Sequence, residues 1–236
     1  MFIVEGNIGV GKSSFLKLIN QYNPNIEISP EPKENWTKES YGQSLLANFY
    51  KDISRWAYTL ETLTMIYRTK AHLKEQIKQN QYRLVERSIY SGHYCFAKND
   101  FHNGYLSDLE WQIYNEWATF LITNKCFAPK GFIYLQTSPQ ICFERIQKRN
   151  RISEKNITLD YIKQIHNQHE QFLIEKKDIF ENIKNVPVLV LDASENFAQN
   201  PQKIIYFSNQ LDAFFNKSIA KPTPNTKIEK ESFSSQ

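Results

Sequence analysis

The stretch MFIVEGNIGVGKSSFLKL, residues 1–18, decides the fold of this chain. An apolar run at 2–4 is followed by GNIGVGKS at 6–13, which fits the phosphate-loop pattern G-x-x-x-x-G-K-[ST]. Glycines let the backbone turn tightly and point successive N–H groups inward, and a helix that begins near Lys12 adds the positive end of its dipole. The order strand, loop and amphipathic helix therefore predicts a site for nucleotide phosphates and disfavours a chance glycine-rich turn.

Two polar side chains of this loop have predicted roles beyond anion binding. Lys12 can reach the outer phosphates, and the hydroxyl of Ser13 can hold Mg²⁺. We expect the triphosphate to contact the whole loop and the first turn of the helix: Gly6, Asn7, Ile8, Gly9, Val10, Gly11, Lys12, Ser13 and Ser14.

The composition is that of one domain with a well-filled core, since 236 residues include 16 Phe, 13 Tyr and 4 Trp. The net charge of +4 is too small to indicate nucleic acid or a membrane as a partner. Cys95, Cys126 and Cys142 lack the spacing of metal ligands, so we expect reduced thiols in a reducing compartment. No stretch approaches the roughly twenty apolar residues of a membrane span. Because a strand begins at residue 2, we expect no signal or transit peptide before the fold, which favours the cytosol, or cytosol and nucleus.

Short apolar runs recur between helical patterns and end in polar residues. They lie at 2–4, 26–28, 84–85, 132–135 and 188–191. Runs without alternation are typical of parallel strands buried on both faces. The predicted class is α/β with right-handed crossovers, and its ligands should bind beyond the carboxyl ends of the strands.

The helical patterns cover most of the remaining chain. We predict a long helical region from about 41 to 80 and helices at 107–123, from the Ser138-Pro139 cap, and from about 158 to 180. Beyond Asn216 the composition shifts to Lys, Pro, Thr and Ser. We therefore expect a single domain at 1–216 and a disordered tail at 217–236.

Charged residues follow two of the predicted strands. Glu31 lies between two prolines, which would hold its carboxylate rigidly, and a general base or an ordinary loop glutamate is equally supported by this alone. Glu86 and Arg87 follow the third strand. They could form a structural ion pair, or Glu86 could face Mg²⁺ and Arg87 the phosphate acceptor.

A basic cluster, Arg145, Arg149 and Arg151, ends the helix that starts at Ser138. Like charges four residues apart repel unless an anion pairs with them. A solvated basic face is the ordinary interpretation, but beside a phosphate loop a phosphate-gripping lid is favoured. His166 and His169 have no suitably spaced carboxylate or Cys partner, so we predict no zinc site.

Six strings of the sequence, taken in order, resemble the deoxynucleoside kinase family. That family includes deoxycytidine, deoxyguanosine, mitochondrial-type thymidine and multisubstrate insect enzymes. The strings are GNIGVGKS (6–13), EPKENW (31–36), FYKDISRW (49–56), ERSIYSGHYCF (86–96), YLQTSPQICFERIQKRNR (134–151) and LVLDAS (189–194). The resemblance covers nearly everything before residue 217.

The resemblance implies a P-loop kinase fold, with a five-stranded parallel sheet surrounded by helices and an arginine-rich lid. It implies transfer of the γ-phosphate of ATP, with Mg²⁺, to the 5′-hydroxyl of a deoxynucleoside, by a homodimer. For catalysis, it assigns Glu31 as the general base, Arg87 as the arginine that steadies it, and Glu86 as the acid near the metal; Lys12 is expected to be catalytic as well. For the nucleoside, it assigns Tyr50 and Glu154 as ligands of the sugar 3′-hydroxyl, and Trp36 and Phe96 as walls of the base pocket. It assigns the lid to Arg145, Arg149 and Arg151.

One position departs from the family pattern. Glu61 stands where the family carries a glutamine that offers the base one donor and one acceptor, whereas an ionised glutamate offers acceptors only. Arg68 matches an arginine of deoxycytidine and deoxyguanosine kinases, which pair it with an aspartate at the position of Gly92. We hypothesise that Glu61 and Arg68 form the base-reading pair, with Gly92 leaving room. This favours an amino-bearing base, such as a purine, over thymidine.

Two other functions fit a phosphate loop. A nucleoside monophosphate kinase, such as a thymidylate kinase, shares the fold and the lid, but the ERS string and the YKD-x-x-x-W pattern favour a nucleoside acceptor. A non-catalytic nucleotide switch would need a guanine-reading N-K-x-D motif. The nearest string, NKCF at 124–127, has no aspartate, and no D-x-x-G follows a strand.

Overall fold

The computed structural model describes residues 1–38, 44–80 and 82–219. Five strands form one sheet in the order β2-β3-β1-β4-β5, and every pairing is parallel. The strands are β1 (Phe2–Glu5), β2 (Glu27–Ser29), β3 (Arg83–Glu86), β4 (Phe132–Gln136) and β5 (Val188–Asp192). The α/β class and the five-stranded parallel sheet are confirmed. The central position of β1 means that the phosphate loop leaves the middle of the sheet.

Burial separates the central strands from the two edge strands. Every residue of β1 and β3 is buried, and so is β4 except for its last residue. The prediction of strands buried on both faces is wrong for β2 and β5, where Ile28 and Val190 are exposed. These strands form the edges of the sheet, where the helical cover ends.

Helices surround the sheet on both faces. They are α1 (Lys12–Tyr22), α2 (Glu34–Thr37), α3 (Leu45–Lys51), α4 (Ile53–Gln76), α5 (Ile89–Ser91), α6 (Lys98–His102), α7 (Asp108–Asn124), α8 (Pro139–Arg149), α9 (Leu159–His169), α10 (Glu181–Lys184) and α11 (Pro201–Ile219). A π-helical turn, Gly92–Ala97, joins α5 to α6, and another, Glu170–Ile174, extends α9. Short 3₁₀ turns lie at Ile152–Glu154 and Phe197–Gln199. Within the described ranges no helix combines the length and apolar character needed to cross a bilayer.

Two predicted helix starts are confirmed by their caps. Ser107 caps α7 in a reciprocal capping box with Glu110. Ser138 caps α8, whose first residue is Pro139. These caps fix where α7 and α8 begin. The α8 helix packs directly against the phosphate loop, where a Cβ on Gly9 would clash with the backbone carbonyl of Cys142.

The long helical region predicted at 41–80 is two helices. Asp52 ends α3 and starts α4, because its carboxylate accepts a hydrogen bond from the backbone N–H of Arg55 at 3.1 Å. The first residues of that prediction, 41–43, lie outside the described ranges. The helix predicted at 158–180 stops earlier, since its π-helical turn is followed by Lys176 and Asp178, which both have positive φ.

The carboxyl-terminal helix runs slightly past the expected domain end. The α11 helix continues to Ile219, so residues 217–219 are helical rather than part of a tail. The rest of the expected tail, 220–236, lies outside the described residues.

The apolar core has two layers against the sheet and a third cluster away from it. The first layer packs α1, α8 and α11 on one face, and the second packs α5, α7 and α9 on the other. The third cluster contains Trp36, Phe49, Leu60 and Leu106. Fully burying each side chain of this size contributes roughly 1.5–3 kcal/mol. This third cluster holds α2, α3 and α4 over the carboxyl ends of β2 and β3.

Candidate active site

One cleft of about 820 Å³ lies at the carboxyl ends of β1, β2 and β3. Predicted site residues that line it are Ile8, Gly9, Gly11, Lys12, Ser13, Ser14, Glu31, Trp36, Tyr50, Glu61, Arg68, Glu86, Arg87, Phe96, Arg149, Arg151 and Glu154. Gly6, Asn7, Val10, Gly92 and Arg145 are the predicted residues that do not line it. The fold therefore brings most of the predicted donor and acceptor residues into a single space.

The phosphate loop needs its glycines for conformation and for space. Gly9 and Gly11 have φ values of 85° and 106°, in the region that disfavours other residues. The side chain of Asn7 fixes the loop from behind, because its Nδ2 donates to Ile162 O at 2.8 Å and its Oδ1 accepts from the N–H of Ile8 at 2.8 Å. The loop is thus held in place by α9 before any nucleotide binds.

Lys12 folds back over its own loop. Its Nζ donates to Gly6 O at 2.9 Å and to Asn7 O at 2.8 Å. Burial, and then the nearby charge of Arg87, lower the pKa of Lys12 to about 7, against the opposing effect of Glu86. A phosphate would offer the full negative charge that these neutral carbonyls lack, so anion binding would restore the ammonium form.

Glu86 connects the phosphate loop to Glu31. Its Oε1 accepts a hydrogen bond from Ser13 Oγ at 2.6 Å, and its Oε2 accepts one from the backbone N–H of Glu31 at 3.5 Å. A hydroxyl and a carboxylate are the oxygen donors that a hard divalent cation such as Mg²⁺ prefers. No cluster of three or more His, Cys, Asp or Glu with metal-ligand geometry occurs in the described part of the chain. Ser13 and Glu86 therefore suit a cation that takes its other ligands from phosphate and water.

Glu31 is held by two arginines. Nη2 and Nε of Arg68 both donate to Glu31 Oε1, at 2.7 and 3.1 Å, and Nε of Arg87 lies 3.6 Å from Oε2. Burial acts to raise the pKa of Glu31, but Arg68 and Arg87 together outweigh it and lower that pKa below its usual value. Glu31 is therefore an ionised, rigidly held hydrogen-bond acceptor. It lies between the phosphate-loop end of the cleft and the end that contains Glu61 and Arg68.

Arg68 and Glu61 do not form an ion pair within the described ranges, since Arg68 is engaged by Glu31. Glu61 Oε2 and Arg68 Nη1 are both buried and without a hydrogen-bond partner there. Burial raises the pKa of Glu61 to about 7, although the charges of Arg68 and Arg87 act to lower it. A Cβ on Gly92 would lie 2.9 Å from Arg68 Nη1, so this glycine does leave space for the guanidinium.

Two aromatic rings, Trp36 and Phe96, flank the end of the cleft that contains Glu61 and Arg68. The guanidinium of Arg68 lies 5.7 Å from the ring centroid of Trp36 and 5.5 Å from that of Phe96. The guanidinium of Arg87 lies 4.7 Å from the same Phe96 ring. Phe96 therefore supports both arginines as well as facing the cleft.

The basic cluster is engaged with the protein itself. Arg145 donates from Nη1 to Val10 O and Ala193 O, at 3.1 and 2.9 Å, and from Nη2 to Ser194 O and Glu195 O, both at 3.0 Å. Four carbonyl acceptors explain how this charge is satisfied without an anion. Arg145 joins the phosphate loop to the segment after β5, and its role in a phosphate-gripping lid stays a prediction.

The other two arginines of the cluster bind Glu154. Arg149 Nε donates to Glu154 Oε2 at 2.7 Å, and Arg151 Nη1 donates to Oε1 at 3.4 Å. The prediction that Arg151 lies on the helix is wrong, because α8 ends at Arg149 and Asn150 adopts the left-handed conformation that terminates it. Glu154 also contributes, after burial, to a raised pKa of the Tyr50 hydroxyl, which places these two residues near each other.

The two histidines set aside as structural or surface residues lie on α9. His169 is fully buried, its Nδ1 lies 2.7 Å from Ile165 O, and its ring stacks on Tyr134. His166 Nε2 lies 3.7 Å from Glu170. Both are thus engaged by neighbours on their own helix and its extension.

Sequence reasoning missed two buried carboxyl groups and one backbone feature. Glu5, at the end of β1, accepts a hydrogen bond from Ser88 Oγ at 2.6 Å, and its place directly before the phosphate loop is a signal that could have marked it. Asp100 is fully buried on α6 with no hydrogen bond to either carboxylate oxygen in the described ranges, and no sequence signal marks it. Arg87 has a φ of 61°, a strained conformation typical of functional sites.

The chain is similar to known deoxynucleoside kinases along most of its length. The family model for deoxynucleoside kinase matches residues 2–216. The chain belongs to the deoxynucleoside kinase family. It is 36% identical over 234 residues to deoxycytidine kinase 2 of Gallus gallus, with 89% of this chain and 88% of the relative covered. It is 37% identical over 232 residues to the mitochondrial deoxyguanosine kinase of Xenopus laevis, with the same shares covered. It is 33% identical over 214 residues to human mitochondrial thymidine kinase 2, covering 88% and 78%.

Family membership makes this deoxynucleoside kinase a phosphotransferase with a P-loop kinase fold, which confirms the predicted class of enzyme. A kinase of this family uses a nucleoside triphosphate together with a divalent metal, and the cleft has phosphate-loop and oxygen-ligand groups suited to both. The monophosphate kinase and the nucleotide switch are thereby set aside.

Proposed function

We propose that this protein transfers the γ-phosphate of ATP to the 5′-hydroxyl of a deoxynucleoside that carries an amino-bearing base. The observation that carries the proposal is the position of Glu86, which accepts from Ser13 of the phosphate loop at 2.6 Å and from the backbone of Glu31 at 3.5 Å. One side chain therefore joins the donor end of the cleft to the carboxylate suited to the acceptor hydroxyl.

Glu31 is the proposed base. Because its pKa is lowered by two arginines, it is ionised at neutral pH and can accept a hydrogen bond from the 5′-hydroxyl. Such a weak base takes the proton late, as the bond to phosphorus forms and the hydroxyl becomes more acidic. Arg87 lies beside it and can stabilise the charge that develops on the transferred group.

The metal is proposed to be Mg²⁺, held by Ser13 and Glu86. Their hydroxyl and carboxylate oxygens match its preference, and it would neutralise charge on the phosphates when bound. Lys12 would move from the loop carbonyls to the phosphates, and Arg149 and Arg151 would close over them from the Glu154 side.

The sugar and base subsites follow from the same cleft. Tyr50 and Glu154 are proposed to hold the 3′-hydroxyl, and their proximity supports this. Trp36 and Phe96 would enclose the base between their rings. Glu61, an acid where a glutamine would serve thymine, supports an amino-bearing base over thymidine.

We further propose a homodimer that packs through α7. Four apolar residues on one face of this helix are exposed, at intervals of four, four and three: Leu109, Ile113, Trp117 and Phe120. Exposed apolar side chains at helical spacing are typical of a surface that another subunit covers. We also propose a reducing compartment such as the cytosol, since Cys95, Cys126 and Cys142 are all buried and free.

Steady-state kinetics with ATP and Mg²⁺ test the function directly. The four deoxynucleosides and the corresponding monophosphates are offered as acceptors, with the exposed Glu175→Gln variant as the control for Glu31→Gln. We expect turnover of nucleosides only, and loss of turnover in Glu31→Gln but not in Glu175→Gln. Turnover of a monophosphate in place of nucleosides, or full activity of Glu31→Gln, would contradict the proposal.

A further inference from the structure

We propose that Glu61 and Arg68 read the N1–H, N2–H and O6 edge of guanine, which makes deoxyguanosine the preferred acceptor. The inference rests on the proposed function and adds the identity of the base.

The first observation is the set of polar atoms that the protein leaves unused in the cleft. Oε2 of Glu61 is fully buried and has no hydrogen-bond partner within the described ranges. Arg68 uses Nε and Nη2 on Glu31, while its buried Nη1 has no partner there. Both side chains line the cleft, so a ligand can satisfy these atoms. Buried polar atoms without partners are costly, which favours a ligand that uses all of them.

The hydrogen-bond donors and acceptors on the edge of each base decide which base suits these atoms. Two carboxylate oxygens need two adjacent donors, and the free N–H of Arg68 needs an acceptor beside them. Guanine presents N1–H and N2–H next to each other, with O6 alongside. Cytosine and adenine each present a single amino group on that edge, so one oxygen of Glu61 would remain unpaired. Thymine would place a carbonyl oxygen against the carboxylate, where the two would repel.

The test compares deoxyguanosine with two analogues that each remove part of this edge. Deoxyinosine lacks the 2-amino group, and the deoxyriboside of 2-aminopurine lacks O6 and N1–H. We expect kcat/KM to fall about 10- to 150-fold for deoxyinosine, the range for one hydrogen bond to a charged group, and further for the 2-aminopurine compound. In Glu61→Gln, we expect the preference of deoxyguanosine over deoxyinosine to disappear, because the amide donor would face N1–H or N2–H. Glu175→Gln should keep it.

Equilibrium binding of the same nucleosides, measured by calorimetry, needs no turnover and keeps the two proposals separate. Guanine-selective binding without phosphorylation would overturn the proposed function alone. Phosphorylation of all four deoxynucleosides with no preference for deoxyguanosine over deoxyinosine would overturn the guanine reading alone. Binding data on Glu61→Gln also show whether that variant is folded, since it should still bind ATP.

Discussion

Arg68 donates two hydrogen bonds to a single oxygen of Glu31, at 2.7 and 3.1 Å, although the two residues are 37 positions apart in sequence. The same guanidinium keeps its third nitrogen, Nη1, toward Gly92 and the base end of the cleft. Arg68 therefore links the residue proposed to activate the 5′-hydroxyl to the residues proposed to read the base. A base that draws on Nη1 would fix the orientation of the guanidinium that holds Glu31.

Replacing Glu31 by Gln should lower kcat by about 10²- to 10⁴-fold, the usual contribution of a general base. The KM for ATP should change little, since Glu31 lies on the acceptor side of Glu86. Loss of the carboxylate also leaves Arg68 and Arg87 buried without their anion, so the melting temperature should fall. A variant that retains wild-type kcat while losing thermal stability would identify Glu31 as a structural anion rather than the base.

The Gly92→Ala variant tests the space reserved for Arg68. Gly92 has helical backbone angles, so alanine is compatible with the backbone, but its Cβ would lie 2.9 Å from Arg68 Nη1. The guanidinium should move, and we expect KM for the nucleoside to rise roughly 3- to 10-fold, equal to about 0.6–1.4 kcal/mol. The KM for ATP should stay constant. An unchanged nucleoside KM would mean that Arg68 does not contact the base.

Some of this site could be predicted from the sequence, and the reason is local geometry. Some features depend only on neighbours within a few residues, so a local sequence pattern predicts their structure. They are the phosphate loop, Ser13 and the helix caps at Ser107 and Ser138. The parallel order of the strands follows from the spacing of apolar runs and helices.

Other features depend on contacts that leave no trace in a pattern. The sequence offers both Glu31 and Glu61 as ion-pair partners for Arg68. In the fold Arg68 pairs with Glu31, and this choice depends on how α4 lies against the loop after β2. The acceptors of Arg145 are backbone carbonyls, which every residue has, so the sequence cannot distinguish a clamp from a lid. Asp100 is one polar residue in a helical segment, and only the packing around it shows that it is buried.

Arg145→Ala tests whether this arginine stabilises the fold. It removes four hydrogen bonds to carbonyl groups, and we expect the free energy of unfolding to fall by about 2–4 kcal/mol. Arg151→Ala is the matched comparison, because half of that side chain is exposed and such ion pairs contribute about 0–1 kcal/mol. Urea denaturation measures both. If Arg145→Ala weakens ATP binding and leaves stability unchanged, the residue is a phosphate ligand rather than a clamp.

The free energy of unfolding should fall as pH rises because Glu61 ionises, and the Glu61→Gln variant should lack this part of the pH dependence. The pKa of Glu61 is raised to about 7 in the folded protein, so its contribution is favourable below the unfolded value of 4.5 and is lost as pH rises through 7. The charged groups acting on it are Arg68, Arg87 and Glu31. Burial, and then the charge of Glu61, hold the pKa of Asp100 well above its usual value. Between pH 5 and pH 8, the stability of Glu61→Gln relative to wild type should increase by up to about 3 kcal/mol.

That comparison is made by urea unfolding at both pH values, with Glu175→Gln as the control for removing a carboxylate at the surface. Because Glu31 has a lowered pKa, its own contribution is gained as pH rises through its usual value of 4.5, which lies below the range compared. It therefore changes little between pH 5 and pH 8. A difference that does not change between pH 5 and pH 8 would show that Glu61 is ionised throughout.

The α7 face predicts how a dimer can be broken. Trp117 is 56% exposed at the centre of the apolar stripe on α7, and Trp117→Glu would place a charge in the proposed interface. We expect wild type to measure as a dimer by light scattering and this variant as a monomer of unchanged helical content. Tyr206→Glu, at an equally exposed aromatic residue on α11, should remain a dimer. A wild-type protein that stays monomeric at high concentration would refute the homodimer, and a monomeric Tyr206→Glu would move the interface to α11.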